Sequence, residues 1–178
     1  MKTQNTVAVI GSLEEVYGLI EGVEHWPEIV EDVGDVKVLG MDARKKVVEI
    51  STRGGVLHLK MIALQESFPV ERRVTFNHIK GVMKGVVVEW TLGEVRLKNK
   101  SLMHVNVTHD FKNISSARAY VLNRFFIQKR TEKMLVRLKE IVEAGYLAKV
   151  LLGLDFTQET EWTAGTLFEN ELITVKVY

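Results

Sequence analysis

One long stretch of alternating apolar and polar residues, from Asp35 to Phe111, constrains the fold more than any other feature of the sequence. Alternation with a period of two is typical of strands that bury one face. Turn signals interrupt the stretch at short intervals, so it predicts six consecutive strands in an antiparallel meander. A further run of apolar and β-branched residues, Thr6–Ile10, predicts a strand before them, which brings the total to seven.

Helical signals precede and follow the meander. Ser12 and Glu15 have the spacing of a capping box, so a helix is expected to begin there and to end near Gly22. A short second helix is expected at His25–Ile29, because its proline fits a first helical turn, where the missing N–H costs nothing. After the last strand the period changes to 3.6, which predicts one long helix over about residues 116–146. Its apolar stripe is expected at Ala117, Val121, Phe125, Leu135, Leu138 and Val142.

Composition excludes several classes of protein. The chain has 178 residues with 24 basic and 23 acidic side chains, and this balance disfavours nucleic acid as a partner. It contains no cysteine, which excludes disulfides and thiolate metal sites, and its five histidines are too scattered to predict a metal site. No apolar run has the length of a membrane span, and the first residues lack a signal-peptide pattern. We therefore expect a cytoplasmic protein with no integral membrane segment, no metal and no cofactor.

Two regions are predicted along the chain, a domain over residues 1–146 and an extension over residues 147–178. The extension ends in the apolar run Leu172–Val177, which predicts a strand. A strand must pair with a sheet edge, either in its own chain or in a neighbouring one. The extension could therefore support a homo-oligomer.

Four segments resemble, in the same order, those of the START-like polyketide cyclase/dehydrase proteins of the SRPBCC superfamily. The first is a short helix, followed by an acidic residue, by Trp26–Glu28 and then by a strand. The other three are Val74–Asn77, Gly85–Trp90 and Thr108–Phe111, so the resemblance covers about residues 5–145. It implies an α+β helix-grip fold, in which a curved seven-stranded antiparallel sheet wraps around the long C-terminal helix. It also implies a hydrophobic ligand cavity between the sheet and that helix.

The resemblance also implies a choice of functions. Relatives bind lipids, sterols, quinones or polyketide chains, and the aromatase/cyclases among them fold and dehydrate a poly-β-ketone. The family's cavity tyrosine would fall near Val33, where there is no tyrosine, and its cavity arginine would fall near Ala63–Leu64, where there is no arginine. No catalytic residue therefore carries over. The resemblance therefore favours non-catalytic binding or transport of a small hydrophobic ligand, such as a lipid, a quinone or a polyketide-like compound. A polyketide cyclase or dehydratase, and a protein-interaction module that uses the tail, are the alternatives.

Candidate site residues follow from strand parity. His78 and His109 share faces with apolar residues, and a buried histidine can act as an acid or a base near neutral pH. A histidine that only hydrogen-bonds within a core has the same pattern. Met83 is expected at a pocket mouth, and Tyr120 could contact a ligand oxygen. The candidate ligand-binding residues are Ile50, Leu59, Phe76, His78, Met83, Val88, Trp90, Val105, Val107, His109, Tyr120, Val121 and Phe125.

Overall fold

The fold contains the seven strands that the sequence predicts. The computed structural model describes residues 1–53, 59–97 and 100–151. Neighbouring strands pair in antiparallel fashion in one sheet, in the order β1-β7-β6-β5-β4-β3-β2. The meander of β2 to β7 follows sequence order, and β1 joins it at β7. The strands are β1 (Lys2–Ile10), β2 (Val33–Asp42), β3 (Lys45–Thr52), β4 (Lys60–Phe68), β5 (Arg73–Gly81), β6 (Val87–Leu97) and β7 (Lys100–Asp110).

Two short helices follow β1, and a long helical segment follows β7. The first pair is α1 (Leu13–Glu21) and α2 (Trp26–Ile29), which a single 3₁₀ turn joins. The long segment consists of α3 (Ser116–Leu122), a π-helical turn at Asn123–Ile127 and α4 (Gln128–Leu151). This α+β arrangement confirms the helix-grip fold. None of the described helices combines the length and the hydropathy that crossing a bilayer requires. The predicted strand at Leu172–Val177 lies outside the described residues.

The π-helical turn corrects the predicted apolar stripe of the long helix. The backbone N–H of Gln128 donates to the carbonyl of Asn123, five residues earlier. This turn takes in one residue more than a regular α-helical turn, which shifts the face presented by the next residues by about 100°. Leu122 and Ile127 therefore share one buried face. Three predicted stripe residues point to solvent instead: Ala117, Val121 and Phe125. The buried residues are Ala119, Leu122, Ile127, Thr131, Leu135, Leu138 and Val142.

The capping box at the start of α1 is confirmed, and it supports a stability prediction. The Glu15 N–H donates to Ser12 Oγ at 3.2 Å, and the Ser12 N–H donates to a Glu15 carboxylate oxygen at 3.2 Å. We expect Ser12→Ala to lower the free energy of unfolding by about 1 kcal/mol, measured by urea denaturation. Ser115→Ala is the matched control, because Ser115 precedes α3 without a side-chain capping bond. Equal losses in the two variants would contradict the role of the box.

The space between the sheet and the long helix is solid at one end. Val9, Val105 and Val142 are almost completely buried there, where the second half of α4 crosses β1. A Cβ atom placed on Gly11 would lie 2.3 Å from Val142 Cγ1, so the backbone and the helix approach too closely for any larger residue. Lys139 Nζ donates to the Ala8 carbonyl at 3.1 Å and fixes the crossing. The opposite end, beneath the π-helical turn, is packed less tightly and contains the candidate site.

Candidate functional site

A cavity of about 140 Å³ lies between the concave face of the sheet and the first half of the long helix. Strands β3 to β7 supply one side of it, and the π-helical turn and the first turns of α4 supply the other. The segment from α2 to β2 and the loop between β5 and β6 line its ends. Seven of the predicted ligand-binding residues line this cavity: Ile50, Phe76, His78, Met83, Val88, Trp90 and His109.

These seven residues come together because neighbouring strands bring the same face into register. Val88 on β6 pairs with Phe76 on β5 and with His109 on β7, so the three side chains form one row across the sheet. Trp90 lies two residues further along β6, on the same face. Met83 belongs to the loop between β5 and β6 and also lines the cavity.

Six predicted residues do not line the cavity. Val105 and Val107 are completely buried, but they pack in the solid core. Leu59 precedes β4, and its N–H donates to Thr52 Oγ1 at 3.1 Å, which holds it beside the cavity rather than in its wall. The other three belong to the misassigned face of the long helix: Tyr120 is 64% exposed, Val121 is 47% exposed and Phe125 is 72% exposed. The π-helical turn is the physical reason for these three errors.

His78 is held in its position by the backbone. Its Nδ1 lies 3.2 Å from the carbonyl oxygen of Val86, and because a carbonyl can only accept, this nitrogen carries the proton and donates it. Burial lowers the pKa of His78 to about 4, since the charged form loses its hydration. The backbone bonds to Val86 and Phe76 raise the pKa, but burial outweighs them. The imidazole is therefore neutral at pH 7.

His109 is a polar residue of the cavity lining whose hydrogen bonding is incomplete. Burial and, as a smaller cause, the charge that His78 would carry together lower its pKa to about 4. Its Nε2 lies 3.4 Å from Thr131 Oγ1, a long contact, and its Nδ1 finds no partner among the described residues. One ring nitrogen of a neutral imidazole donates and the other accepts. His109 can therefore offer a hydrogen bond to a molecule in the cavity.

Three aromatic residues in mutual contact, Trp26, Phe76 and Trp90, form part of the apolar wall. The Trp26 ring lies 5.3 Å from the Phe76 ring and 6.2 Å from the Trp90 ring, between centroids. The Trp26 indole N–H donates to the Leu19 carbonyl at 3.0 Å, which fixes the orientation of the ring. The Trp90 indole N–H is buried and finds no acceptor among the described residues. An indole nitrogen can only donate, so this group would pair with an acceptor oxygen.

An ion pair stands where the cavity meets the surface. Asp32 Oδ2 lies 3.7 Å from Arg130 Nε, and both side chains are partly exposed. The pair joins the segment after α2 to the first turn of α4. A surface groove of about 830 Å³ adjoins the cavity at this point and shares four residues with it: Val30, Asp32, Arg130 and Met134. A molecule longer than the cavity would pass this ion pair and continue in the groove.

Several lining residues are absent from the predicted set. Thr52 and Met61 share strand parity with predicted residues, so the alternation alone would have found them. Trp26 was expected to pack the short helix against the sheet, and it also lines the cavity. Phe126 and Ile127 could not be found, because the π-helical turn that directs them inward has no signal in a 3.6-residue period. Thr131 lies four residues before Leu135 on the buried face of α4 and was missed because it is polar. Within the described ranges, no group of three acidic or histidine side chains could hold a metal ion.

Comparisons with known proteins show the family through one match and the fold through others. A family model described as polyketide cyclase / dehydrase and lipid transport matches residues 11–139. Among solved structures, the chain is similar to the Zhui aromatase/cyclase from Streptomyces sp. R1128, with 14% identity, a TM-score of 0.70, and coverage of 82% of this chain and 95% of that one. No curated protein matches the chain significantly.

Two further solved structures share the fold. The protein XoxI from Bacillus cereus has 18% identity and a TM-score of 0.64, over 82% of this chain and 97% of that one. A START superfamily protein from Mycobacterium smegmatis has 14% identity and a TM-score of 0.58, over 80% of this chain and 97% of that one. At such identities the likeness concerns the fold alone, so the functional argument must come from the cavity itself.

Proposed function

The chain belongs to the polyketide cyclase / dehydrase and lipid transport family, and on that premise we propose that it binds a small hydrophobic ligand in the cavity without converting it. The observation that supports this most directly is the lining of the cavity. Apolar side chains surround most of the space, and two of the lining residues, Trp90 and His109, each have a buried ring nitrogen without a partner among the described residues. Apolar burial would supply most of the affinity, and the two polar groups would orient the ligand.

The size of the cavity limits what it can enclose. An apolar cavity of roughly 150 Å³ can hold a molecule the size of benzene. The 140 Å³ enclosed here therefore suits one ring or a short branched chain. A larger ligand would place one such unit in the cavity, and its remainder would pass Asp32 and Arg130 into the groove.

The unpartnered groups indicate which oxygen the ligand carries. The Trp90 indole can only donate, so a ligand that satisfies it must present an acceptor such as a carbonyl or phenolic oxygen. Leaving a buried donor unsatisfied costs about 1–3 kcal/mol, and a ligand that pairs with it recovers part of that free energy. We therefore favour aromatic or cyclic ketones and phenols, a class that includes quinones and polyketide-like compounds, over plain hydrocarbons.

One observation favours a second function, that of a cyclase or dehydratase. Two titratable side chains, His78 and His109, line the same cavity and influence each other electrostatically. Their pKa values of about 4 argue for binding instead, because at pH 7 about one imidazole in a thousand would be protonated. Efficient acid–base catalysts have pKa values near the working pH. Incubation with a model polyketone should leave its mass unchanged; a dehydrated or cyclised product would establish the second function.

Two ligands of nearly equal shape test the proposed binding. Acetophenone has a carbonyl oxygen where α-methylstyrene has a methylene group, so any difference in affinity reports the hydrogen bond. We expect both to bind, measured by calorimetry or ligand-observed NMR, and acetophenone to bind about tenfold more tightly, which corresponds to one hydrogen bond of about 1.4 kcal/mol.

Trp90→Phe and His109→Phe are the variants for this test. Each removes one of the two groups and keeps an aromatic side chain in its place. At least one of them should abolish the preference for acetophenone while α-methylstyrene still binds. Failure of both ligands to bind the native protein, together with no small molecule in the native mass spectrum of protein purified without detergent, would refute the proposed function.

A further inference from the structure

A second surface, on the outside of the cavity, combines basic and exposed apolar side chains. The segment from Phe111 to Thr131 contains five basic residues and no acidic one. Because the whole chain has 24 basic and 23 acidic residues, this is a local charge asymmetry rather than a property of the composition. We define the basic aromatic surface by its exposed members: Lys84, Lys112, Arg118, Tyr120, Val121, Arg124, Phe125 and Lys129.

The structure joins the loop that carries Lys84 to the helix that carries most of these residues. Arg118 donates through Nη2 to the Val82 carbonyl at 3.1 Å, which joins α3 to the loop that carries Lys84. Val121, Phe125 and Lys129 are all exposed on the long helical segment. The nearest acidic residue along the chain before this segment, Asp110, lies 3.7 Å from Lys2 and accepts a bond from the Lys112 N–H at 3.0 Å.

The exposed apolar residues have no role in the fold. Phe125 is 72% exposed and Tyr120 is 64% exposed, although the next residues along the chain, Phe126 and Ile127, turn inward and line the cavity. Neighbouring exposed apolar side chains set among cations are the composition of surfaces that lie in a lipid headgroup region. Phenylalanine and tyrosine enter the apolar boundary, and lysine and arginine contact anionic headgroups.

We propose that the basic aromatic surface docks the protein onto an anionic lipid bilayer. Most of the residues lie on the exposed face of a helix, which can enter a headgroup layer, whereas single-stranded nucleic acid is bound in grooves that follow its backbone. The cavity lies behind the same part of the helix, because Phe126 and Ile127 line it. Docking would therefore bring the cavity to the membrane surface, where apolar ligands are concentrated.

Co-sedimentation of the full chain with vesicles tests the proposal. Phosphatidylcholine vesicles that contain phosphatidylserine should bind the protein, vesicles of phosphatidylcholine alone should bind it much more weakly, and added salt should release it. We expect Phe125→Ser to weaken binding at least about tenfold through lost insertion. The double reversal Arg124→Glu with Lys129→Glu should weaken it at least about tenfold through lost attraction.

Matched controls alter exposed residues outside this surface. Val70, which is 94% exposed, is changed to serine, and Lys37 and Lys45 are both changed to glutamate. These controls should bind as the native protein does. Equal loss in test and control variants, or no binding to anionic vesicles, would overturn the proposal. So would binding to a single-stranded oligonucleotide that competes with vesicles and does not depend on Phe125. The assay contains no apolar ligand. A negative result in it would therefore contradict membrane docking and not the proposed ligand binding.

Discussion

Acidification should destabilise the folded protein by several kcal/mol between about pH 6.5 and pH 4, with His78 and His109 responsible. In the unfolded chain a histidine takes up a proton near its ordinary pKa of 6.5, whereas in the folded protein each remains neutral until the pH approaches 4. The unfolded state therefore binds more protons throughout this interval, and the free energy of unfolding falls as the pH falls. The expected loss is about 3 kcal/mol for each histidine, and little more is lost through them below pH 4.

Urea denaturation across this pH interval measures the effect. The decisive quantity is the slope of the free energy of unfolding against pH. Carboxylates also begin to titrate towards pH 4, so the native protein is compared with the double variant His78→Gln, His109→Gln. Glutamine keeps a hydrogen-bonding side chain that takes no proton, and the double variant should show a markedly smaller slope. The matched control is His25→Gln, which changes an exposed histidine and should keep the native slope. A native slope in the double variant would show that neither imidazole is held neutral by burial.

The strands could be predicted from the sequence because their signal is local. Alternation between Asp35 and Phe111 follows from one buried and one exposed face, and each residue contributes to it independently of the rest of the fold. The capping box at Ser12 is local in the same sense, since it needs only residues three apart. Each of the seven strands predicted between Thr6 and Phe111 therefore has its counterpart in the sheet.

The first half of the long helix could not be predicted in the same way. A π-helical turn inserts one residue, and whether the helix accepts it depends on what lies beneath. Here the turn at Asn123–Ile127 covers the cavity and directs Phe126 and Ile127 inward. The spacing of apolar residues alone fits a regular helix equally well, with Val121 and Phe125 as its buried face. Tertiary packing determines whether the regular helix or the helix with a π-helical turn forms.

The sequence also could not predict which of the inward-facing residues line the cavity. Strand parity identifies which residues face the long helix, and all seven predicted residues on β5, β6 and β7 are buried on this face: Phe76, His78, Val88, Trp90, Val105, Val107 and His109. Parity does not say how far the helix stands from the sheet at each point. The long helix lies closest to the sheet at the other end, where Val142 approaches Gly11. Val88 lines the cavity, whereas Val107 packs in the solid core.

The difference between hollow and solid core leads to the second large effect. Val88 and Val105 are both buried valines on the sheet, and the two were equally good candidates from the sequence. Val88 lines the cavity, so the larger side chain of Val88→Phe should enter existing space and change the free energy of unfolding by less than about 1 kcal/mol. Val105→Phe has no such space. It should cost about 1–3 kcal/mol or more through overpacking, measured by urea denaturation.

The same pair of variants connects the cavity with ligand binding. Val88→Phe places a ring where a ligand ring would lie, so it should lower the affinity for acetophenone at least about tenfold while the protein remains folded. Val105→Phe, wherever it still folds, should bind acetophenone as the native protein does, because the substituted residue does not line the cavity. If instead both phenylalanines destabilise the protein equally, the space beneath the π-helical turn is filled in solution. Val88→Phe should thus lose binding and keep stability, whereas Val105→Phe should lose stability and keep binding. A solid core could not produce this pair of results.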